Sequence, residues 1–128
     1  MLFTAIDHPA IACRDVRRVA QWYCEHLGMQ VVADNGTVVL VGYGKDARDG
    51  SMIELMPAKD PGPDPATFAR FQPGVRHVCL RVSDFDAAHE RLRELNVEFT
   101  TPVGQAVGGG KTILFRDPEG NELQIVER

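Results

Sequence analysis

The sequence predicts an α+β fold built from two βαβββ modules, and three observations support this prediction. A histidine and an aspartate recur at one offset, because His8 and Asp15 align with His77 and Asp84. The segment 51–56 aligns with 121–126 at nearly the same offset. Hydrophobic periodicity also runs in the same order in each half, from a strand through a helix to three further strands. The chain is therefore predicted to contain two copies of one structural unit.

The length of 128 residues fits a single domain that contains both copies. We expect module one at residues 1–58, a linker at 59–74 and module two at 75–128. The linker is rich in proline, which cannot donate to a strand ladder and disfavours a helix. A proline-rich connection between two patterned halves is typical of a linker.

Charge and cysteine content exclude several classes of function. The 14 lysines and arginines against 18 acidic residues give a formal charge of −4, and no basic cluster suggests a nucleic-acid partner. No stretch approaches the roughly 20 apolar residues that a bilayer span requires, and no signal peptide is evident. The three cysteines lack the spacing of a disulfide framework or thiolate zinc site. We therefore expect a cytoplasmic protein with reduced cysteines.

In each module a helix is predicted to begin directly after the repeated aspartate, Asp15 or Asp84, which serves as the N-cap. In module one an apolar stripe covers 16–27, and Gly28 is placed to end the helix. In module two the stripe begins at Phe85 and continues to Leu95. The strands that follow are predicted at 29–33, 37–43 and 51–56, and at 97–101, 112–116 and 122–126.

Four polar side chains at matching repeat positions point away from the predicted helix-covered faces. Strand alternation separates them from apolar neighbours, and they are His8, Glu54, His77 and Gln124. If the two sheets curve toward each other, these side chains converge. Two imidazoles and a carboxylate suit zinc, nickel, manganese or iron, and an amide oxygen could complete the set. Taken singly, each residue could instead be an ordinary strand residue without a ligand role.

Arg81 shares the predicted face of His77. A guanidinium there would bind a carboxylate or phosphate of a substrate, or would pair with a surface acid. The run Gly108-Gly109-Gly110-Lys111 is no phosphate-binding loop, because position 105 is glutamine and 112–116 is predicted to be a strand where a helix should begin. We expect a mobile loop there.

The segment Phe115-Arg116-Asp117-Pro118-Glu119-Gly120-Asn121-Glu122-Leu123-Gln124, together with the repeated plan, resembles the vicinal oxygen chelate superfamily. This superfamily includes glyoxalase I, fosfomycin resistance proteins, bleomycin-binding proteins, methylmalonyl-CoA epimerase and extradiol dioxygenases. The resemblance covers nearly the whole chain and implies a cupped, partly open mixed sheet, the glyoxalase/dioxygenase fold. It also implies that His8, Glu54, His77 and Gln124 hold one divalent metal ion.

The resemblance implies a metal-dependent enzyme that binds a small oxygen-bearing substrate by bidentate chelation. A glyoxalase-like lyase or isomerase, an epimerase and an iron dioxygenase all remain open. Many relatives have a glutamate at the position of Gln124. Because this chain has an amide there, Glu54 is the only carboxylate of the four and is the expected catalytic base. The alternative is a metal-free protein that binds a small molecule or antibiotic. A homodimer is expected in either case, and the site could form within one chain or across a swapped dimer.

Overall fold

The computed structural model describes all residues from Met1 to Arg128, and they form two compact units, Met1–Gly62 and Pro63–Arg128. Each unit carries one open four-stranded mixed sheet and one α-helix in the order βαβββ. The predicted α+β class with two such copies is confirmed. Neither helix is long and apolar enough to cross a membrane.

The first unit contains one helix and four strands. These are β1 (Ala10–Cys13), α1 (Val16–Leu27), β2 (Gln30–Asp34), β3 (Val39–Gly42) and β4 (Met52–Pro57). The strand order is β1-β4-β3-β2, with β1 and β4 parallel and the other pairs antiparallel. The two central strands supply buried side chains that face α1, namely Val39, Val41, Ile53 and Leu55.

Helix α1 begins and ends as its sequence predicts. The Asp15 carboxylate accepts a hydrogen bond from the Arg18 backbone N–H at 3.0 Å, and Gly28 adopts the left-handed conformation that ends the helix. Val19 and Tyr23 lie on the buried side of α1 and are inaccessible to solvent. The amphipathic stripe therefore fixes which face of the first sheet is covered.

The second unit repeats this plan. It contains a short 3-10 helix (Pro65–Thr67), β5 (His77–Val82), α2 (Phe85–Glu94), β6 (Gly104–Gln105), β7 (Lys111–Arg116) and β8 (Glu122–Glu127). The strand order is β5-β8-β7-β6, again with one parallel pair, β5 with β8. Asp84 caps α2 by accepting from the Ala87 N–H at 3.0 Å, and Phe85 and Leu92 enter the core.

The strand predicted at 97–101 is wrong in its extent. This segment makes only a single bridge, between Phe99 and Phe115, and the regular strand β6 lies further along the chain. The Thr101 hydroxyl accepts from the Leu114 N–H at 3.1 Å, and Pro102 has no N–H to donate. A side chain thus replaces a backbone partner, and the ladder resumes only at Gly104.

The alternation pattern treats His8 as a strand residue, but β1 begins two residues after it. Pro9 cannot donate to a ladder, but its carbonyl accepts from the Glu54 N–H at 2.9 Å. The pairing with β4 therefore begins at a carbonyl, and His8 remains next to the strand that carries Glu54.

The turn between β7 and β8 forms at the segment Asp117-Pro118-Glu119-Gly120. The Gly120 N–H donates to the Asp117 carbonyl at 3.1 Å. The Asp117 carboxylate accepts from the backbone N–H groups of Glu119 and Asn121. This turn sets the register of β8, the strand that carries Gln124.

Candidate metal and substrate site

In the first unit, His8 and Glu54 are in direct contact. The His8 Nε2 lies 3.1 Å from a Glu54 carboxylate oxygen, and both side chains are about 30% exposed. Glu54 lies on β4 opposite Ala10 of β1, and its side chain alternates with the buried Ile53 and Leu55. Two of the four predicted ligands, an imidazole and a carboxylate, are therefore in contact on the face away from α1.

A second carboxylate contacts the same imidazole. Asp7 Oδ2 lies 2.7 Å from His8 Nδ1, so both ring nitrogens face carboxylate oxygens. Because carboxylates only accept, Nδ1 is the donor to Asp7. Nε2 then either carries a second proton or presents its lone pair to a cation held jointly with Glu54. This arrangement fits a metal ligand in which Asp7 holds Nδ1 and so directs Nε2 toward the ion.

Asp7 was not predicted from the sequence. Strand alternation cannot identify it, because it lies three residues before the start of β1 and is not part of the strand. The one signal in the sequence was that an acidic residue directly precedes His8. It suggests that Asp7 orients the ring only once the ring geometry is known.

In the second unit, His77 and Gln124 lie on the same face of the β5–β8 pair. Gln124 is directly opposite Cys79, two residues beyond His77, and parallel partners point to the same side of the sheet. His77 is exposed and Gln124 is half-buried, while the alternate residues Leu123 and Ile125 are buried toward α2. We call the side that carries His77 and Gln124 the ligand face of the second sheet.

The Gln124 amide has a fixed orientation. Its Nε2 lies 2.7 Å from the Thr112 hydroxyl oxygen, and that hydroxyl donates to the Ile125 carbonyl at 2.8 Å. Since the hydroxyl proton is used, Thr112 can only accept from Gln124, and the amide must present its NH2 group. The Gln124 carbonyl oxygen is thereby directed elsewhere and is available as a ligand. The sequence did not reveal that Thr112 orients the Gln124 amide.

The parallel strand pairs of the two units have the same register. Ala10 is opposite Glu54 in the first unit, and Cys79 is opposite Gln124 in the second. These are the positions that the internal repeat aligns. The two polar pairs therefore occupy equivalent positions in their units, one with a carboxylate and one with an amide, and we call each pair a candidate half-site. No three side chains of His, Cys, Asp or Glu form a metal-binding group.

Three further residues lie at or beside the ligand face of the second sheet. Arg81 is exposed and follows Cys79 by two residues on β5, and its guanidinium makes no hydrogen bond or ion pair with the protein. Burial raises the pKa of the Cys79 thiol, and the nearby positive charge of Arg128 offsets part of this rise. The thiol is therefore not activated as a nucleophile.

The sequence and structure are similar to those of known proteins along almost the whole chain. A family model described as the Glyoxalase/Bleomycin resistance protein/Dioxygenase superfamily matches residues 5–125. An ethylmalonyl-CoA/methylmalonyl-CoA epimerase of Cereibacter sphaeroides is 31% identical over 131 residues, which cover 95% of this chain and 94% of that protein.

Two more comparisons agree with this match. A probable lactoylglutathione lyase of Synechocystis sp. is 26% identical over 127 residues, which cover 94% of this chain and 92% of that protein. A solved glyoxalase family protein of Enterococcus faecalis has a TM-score of 0.76 at 23% identity, with 99% of this chain and all of that chain (100%) covered. The latter likeness concerns the fold.

Proposed function

Because the chain belongs to the glyoxalase/bleomycin resistance protein/dioxygenase superfamily, we propose that it is a divalent-metal-dependent enzyme. Its substrate would be a small molecule that binds through two neighbouring oxygens. The observation that carries this proposal is the His8 ring held between the carboxylates of Asp7 and Glu54. Relatives named as a lyase and an epimerase support chemistry at a carbon next to a carbonyl group.

The proposed ligands are His8, Glu54, His77 and Gln124. Support comes from each half-site separately: His8 and Glu54 are in contact, and Gln124 has its amide oxygen free. When bound, a divalent ion such as zinc, nickel, manganese or iron would polarise the substrate oxygens as a Lewis acid. The two positive charges of the ion and the single negative charge of Glu54 would give the site a net charge of +1. This charge favours the binding of anionic substrate oxygens.

Glu54 is the proposed catalytic base, since it is the one carboxylate among the four ligands. Its carboxylate would remove the proton from the hydroxyl-bearing carbon beside the carbonyl and return it to the former carbonyl carbon, and the hydroxyl proton would pass between the two oxygens. Gln124 cannot carry a proton in the same way, because its amide is neutral and its NH2 group is bound to Thr112. A single base of this kind suits a glyoxalase-like lyase or isomerase. An epimerase would need a second proton donor on the opposite face.

The proposal is tested by metal content and by proton exchange in the same preparations. Protein purified without chelator or a metal-affinity tag should contain about one divalent ion per chain, and His77→Ala should lose it. His89→Ala is the control, because His89 lies on α2 against Phe85 and Phe99 and belongs to neither half-site. Thermal unfolding of both variants checks that they are folded.

In deuterium oxide, proton NMR should then show exchange of the carbon-bound protons of hydroxyacetone by the metal-loaded protein and not by Glu54→Gln. Absence of metal in the unaltered protein after reconstitution would overturn the proposal in favour of a metal-free small-molecule-binding protein. Full metal content in His77→Ala would remove that residue from the ligand set. Unchanged exchange in Glu54→Gln would exclude Glu54 as the base.

A further inference from the structure

Two arginines occupy one end of the ligand face of the second sheet and have no acidic partner. The Arg81 guanidinium has no hydrogen-bond or ion-pair partner in the protein, and the Arg128 guanidinium donates only to backbone carbonyls. Arg81 is opposite Val126 in the β5–β8 register, and Arg128 follows Val126 by two residues. Side-chain alternation along β5 directs the Arg81 guanidinium to the face that carries His77 and Gln124, and Arg128 is the first residue after β8.

Arg128 is held in place by the glycine-rich loop between β6 and β7. Its Nη1 donates to the carbonyls of Val107 and Gly109 at 2.7 and 2.8 Å. A Cβ on Gly108 would lie 2.9 Å from that nitrogen, and one on Gly110 would lie 1.6 Å from the Glu127 carbonyl. Both glycines also have positive φ. The glycine run is therefore explained by close wrapping around β8 and Arg128.

This wrapping leaves donors for a ligand. Only Nη1 of Arg128 is used by the loop, so that Nε and Nη2 have no hydrogen-bond partner in the protein. A guanidinium fixed by one nitrogen can present its other N–H groups to an anion with little loss of side-chain freedom. The charge of Arg128 already acts on Cys79, which lies between His77 and Arg81 on β5.

Acidic side chains do not neutralise this pair. Glu122, on the same face, lies at the opposite end of β8 and is bound to Arg70 and Thr100. Asp86 is paired with Lys111. Acidic residues outnumber basic ones in this chain, whose net charge is −4, yet neither guanidinium is paired with a carboxylate. The two positive charges are therefore available to bind an external anion.

We infer that Arg81 and Arg128 form an anion-binding subsite that selects substrates carrying a carboxylate or phosphate group. The inference rests on the proposed function, since the same substrate would bind the metal beside Gln124. Arg81 lies two residues beyond Cys79, the partner of Gln124, which is about 7 Å along the strand. The anionic group would therefore be joined to the chelated oxygens by a short aliphatic chain.

The test compares two chelators that differ in one charge. Hydroxamates supply the neighbouring oxygens, so the monohydroxamate of adipic acid is compared with hexanohydroxamic acid by calorimetry on the zinc-loaded protein. We expect the carboxylate-bearing probe to bind about tenfold more tightly or better. Arg81→Gln should abolish this preference, Arg128→Gln should reduce it, and Arg81→Lys should keep part of it.

Arg93→Gln is the matched control, because Arg93 is exposed on α2 and its partner is Glu90. It should keep the full preference. Equal binding of both hydroxamates by the unaltered protein would overturn the inference and leave the metal site intact. The inference would also be overturned if Arg81→Gln kept the preference for the carboxylate-bearing hydroxamate. A merely structural Arg128 would lower the unfolding temperature when replaced without changing the ratio of the two affinities.

A second readout needs no metal. Phosphorus NMR of inorganic phosphate with the metal-free protein should show line broadening that Arg81→Gln removes and Arg93→Gln retains. Broadening without hydroxamate binding would support the anion subsite and count against the metal proposal. A carboxylate preference without phosphate broadening would assign the subsite to carboxylates.

Discussion

A histidine that faces two carboxylates is the most informative residue in the molecule. An imidazole in water gains little from a second acidic neighbour at the surface. In a metal site the same arrangement has a purpose, because the rear carboxylate fixes the protonated nitrogen and directs the other toward the ion. In the proposed site Asp7, at 2.7 Å from Nδ1, would be the rear group, and Glu54 would be the companion ligand.

Replacement of Asp7 should therefore weaken metal binding without removing a ligand. We expect Asp7→Ala to raise the dissociation constant for nickel or zinc about 10- to 100-fold, as loss of an orienting partner typically does. Asp7→Asn should cause a smaller loss, because its amide oxygen still accepts from Nδ1. Calorimetric titration measures both.

The control for this prediction is Asp60→Asn, which removes an exposed carboxylate of the same unit. It should bind metal like the unaltered protein. If Asp7→Ala and Asp60→Asn bind equally well, Asp7 does not orient the ring. That result would leave the ligand assignment of His8 unaffected.

At the scale of elements, strand alternation and helix capping are what the sequence predicts best. Asp15 and Asp84 cap the helices as expected, and the face that carries His77 and Gln124 follows from a two-residue period. Alternation is local and needs no knowledge of distant contacts. The β1–β4 register, with Ala10 opposite Glu54, recurs at the aligned positions of the second module, where Cys79 is opposite Gln124.

Features that depend on single side chains were beyond such reasoning. The displaced β6 results from the Thr101 hydroxyl bond to the Leu114 N–H and from Pro102. The amide orientation of Gln124 depends on the Thr112 hydroxyl, two strand positions away on β7. These partners become adjacent only through tertiary pairing, which a one-dimensional pattern does not contain.

The segment before β5 is attached to the second sheet by an ion pair that should contribute stability. Arg70 contacts Glu122 of β8 at 3.0 Å, and the Thr100 hydroxyl donates to the same carboxylate at 2.7 Å. Burial opposes ionisation, but the hydrogen bonds from Arg70 and Thr100 and the nearby positive charges lower the pKa of Glu122 below its usual value. The ionised carboxylate is thus the favoured form in the folded protein.

Arg70→Ala should lower the free energy of unfolding by about 1–2 kcal/mol at neutral pH, since Glu122 is left with one partner. A lowered folded pKa contributes stability above the ordinary carboxyl pKa, and this is lost as pH falls through the folded value. The difference between the two proteins in urea unfolding should therefore shrink in acid. The control is Arg91→Ala, which removes an exposed ion pair with Glu94 on a helix. It should change the free energy of unfolding little at any pH.

At the scale of the whole molecule, the internal repeat divides the proposed ligand set. Neither unit holds enough donors for a tight site alone, because the first offers His8 and Glu54 and the second offers His77 and Gln124. Zinc, nickel and manganese sites need three or four protein ligands. The proposed function therefore requires both half-sites, from one chain or from two copies of it.

This requirement predicts how metal should affect unfolding. A ligand that binds only the folded state at 100 times its dissociation constant adds about 2.7 kcal/mol, which raises the unfolding temperature by several degrees and is reversed by chelator. His8→Ala and His77→Ala should each lose this increase, although they lie in different units. His89→Ala should retain it. Loss of the increase in only one of the two ligand variants would mean that the ion is held by one unit, and the other half-site would then need another role.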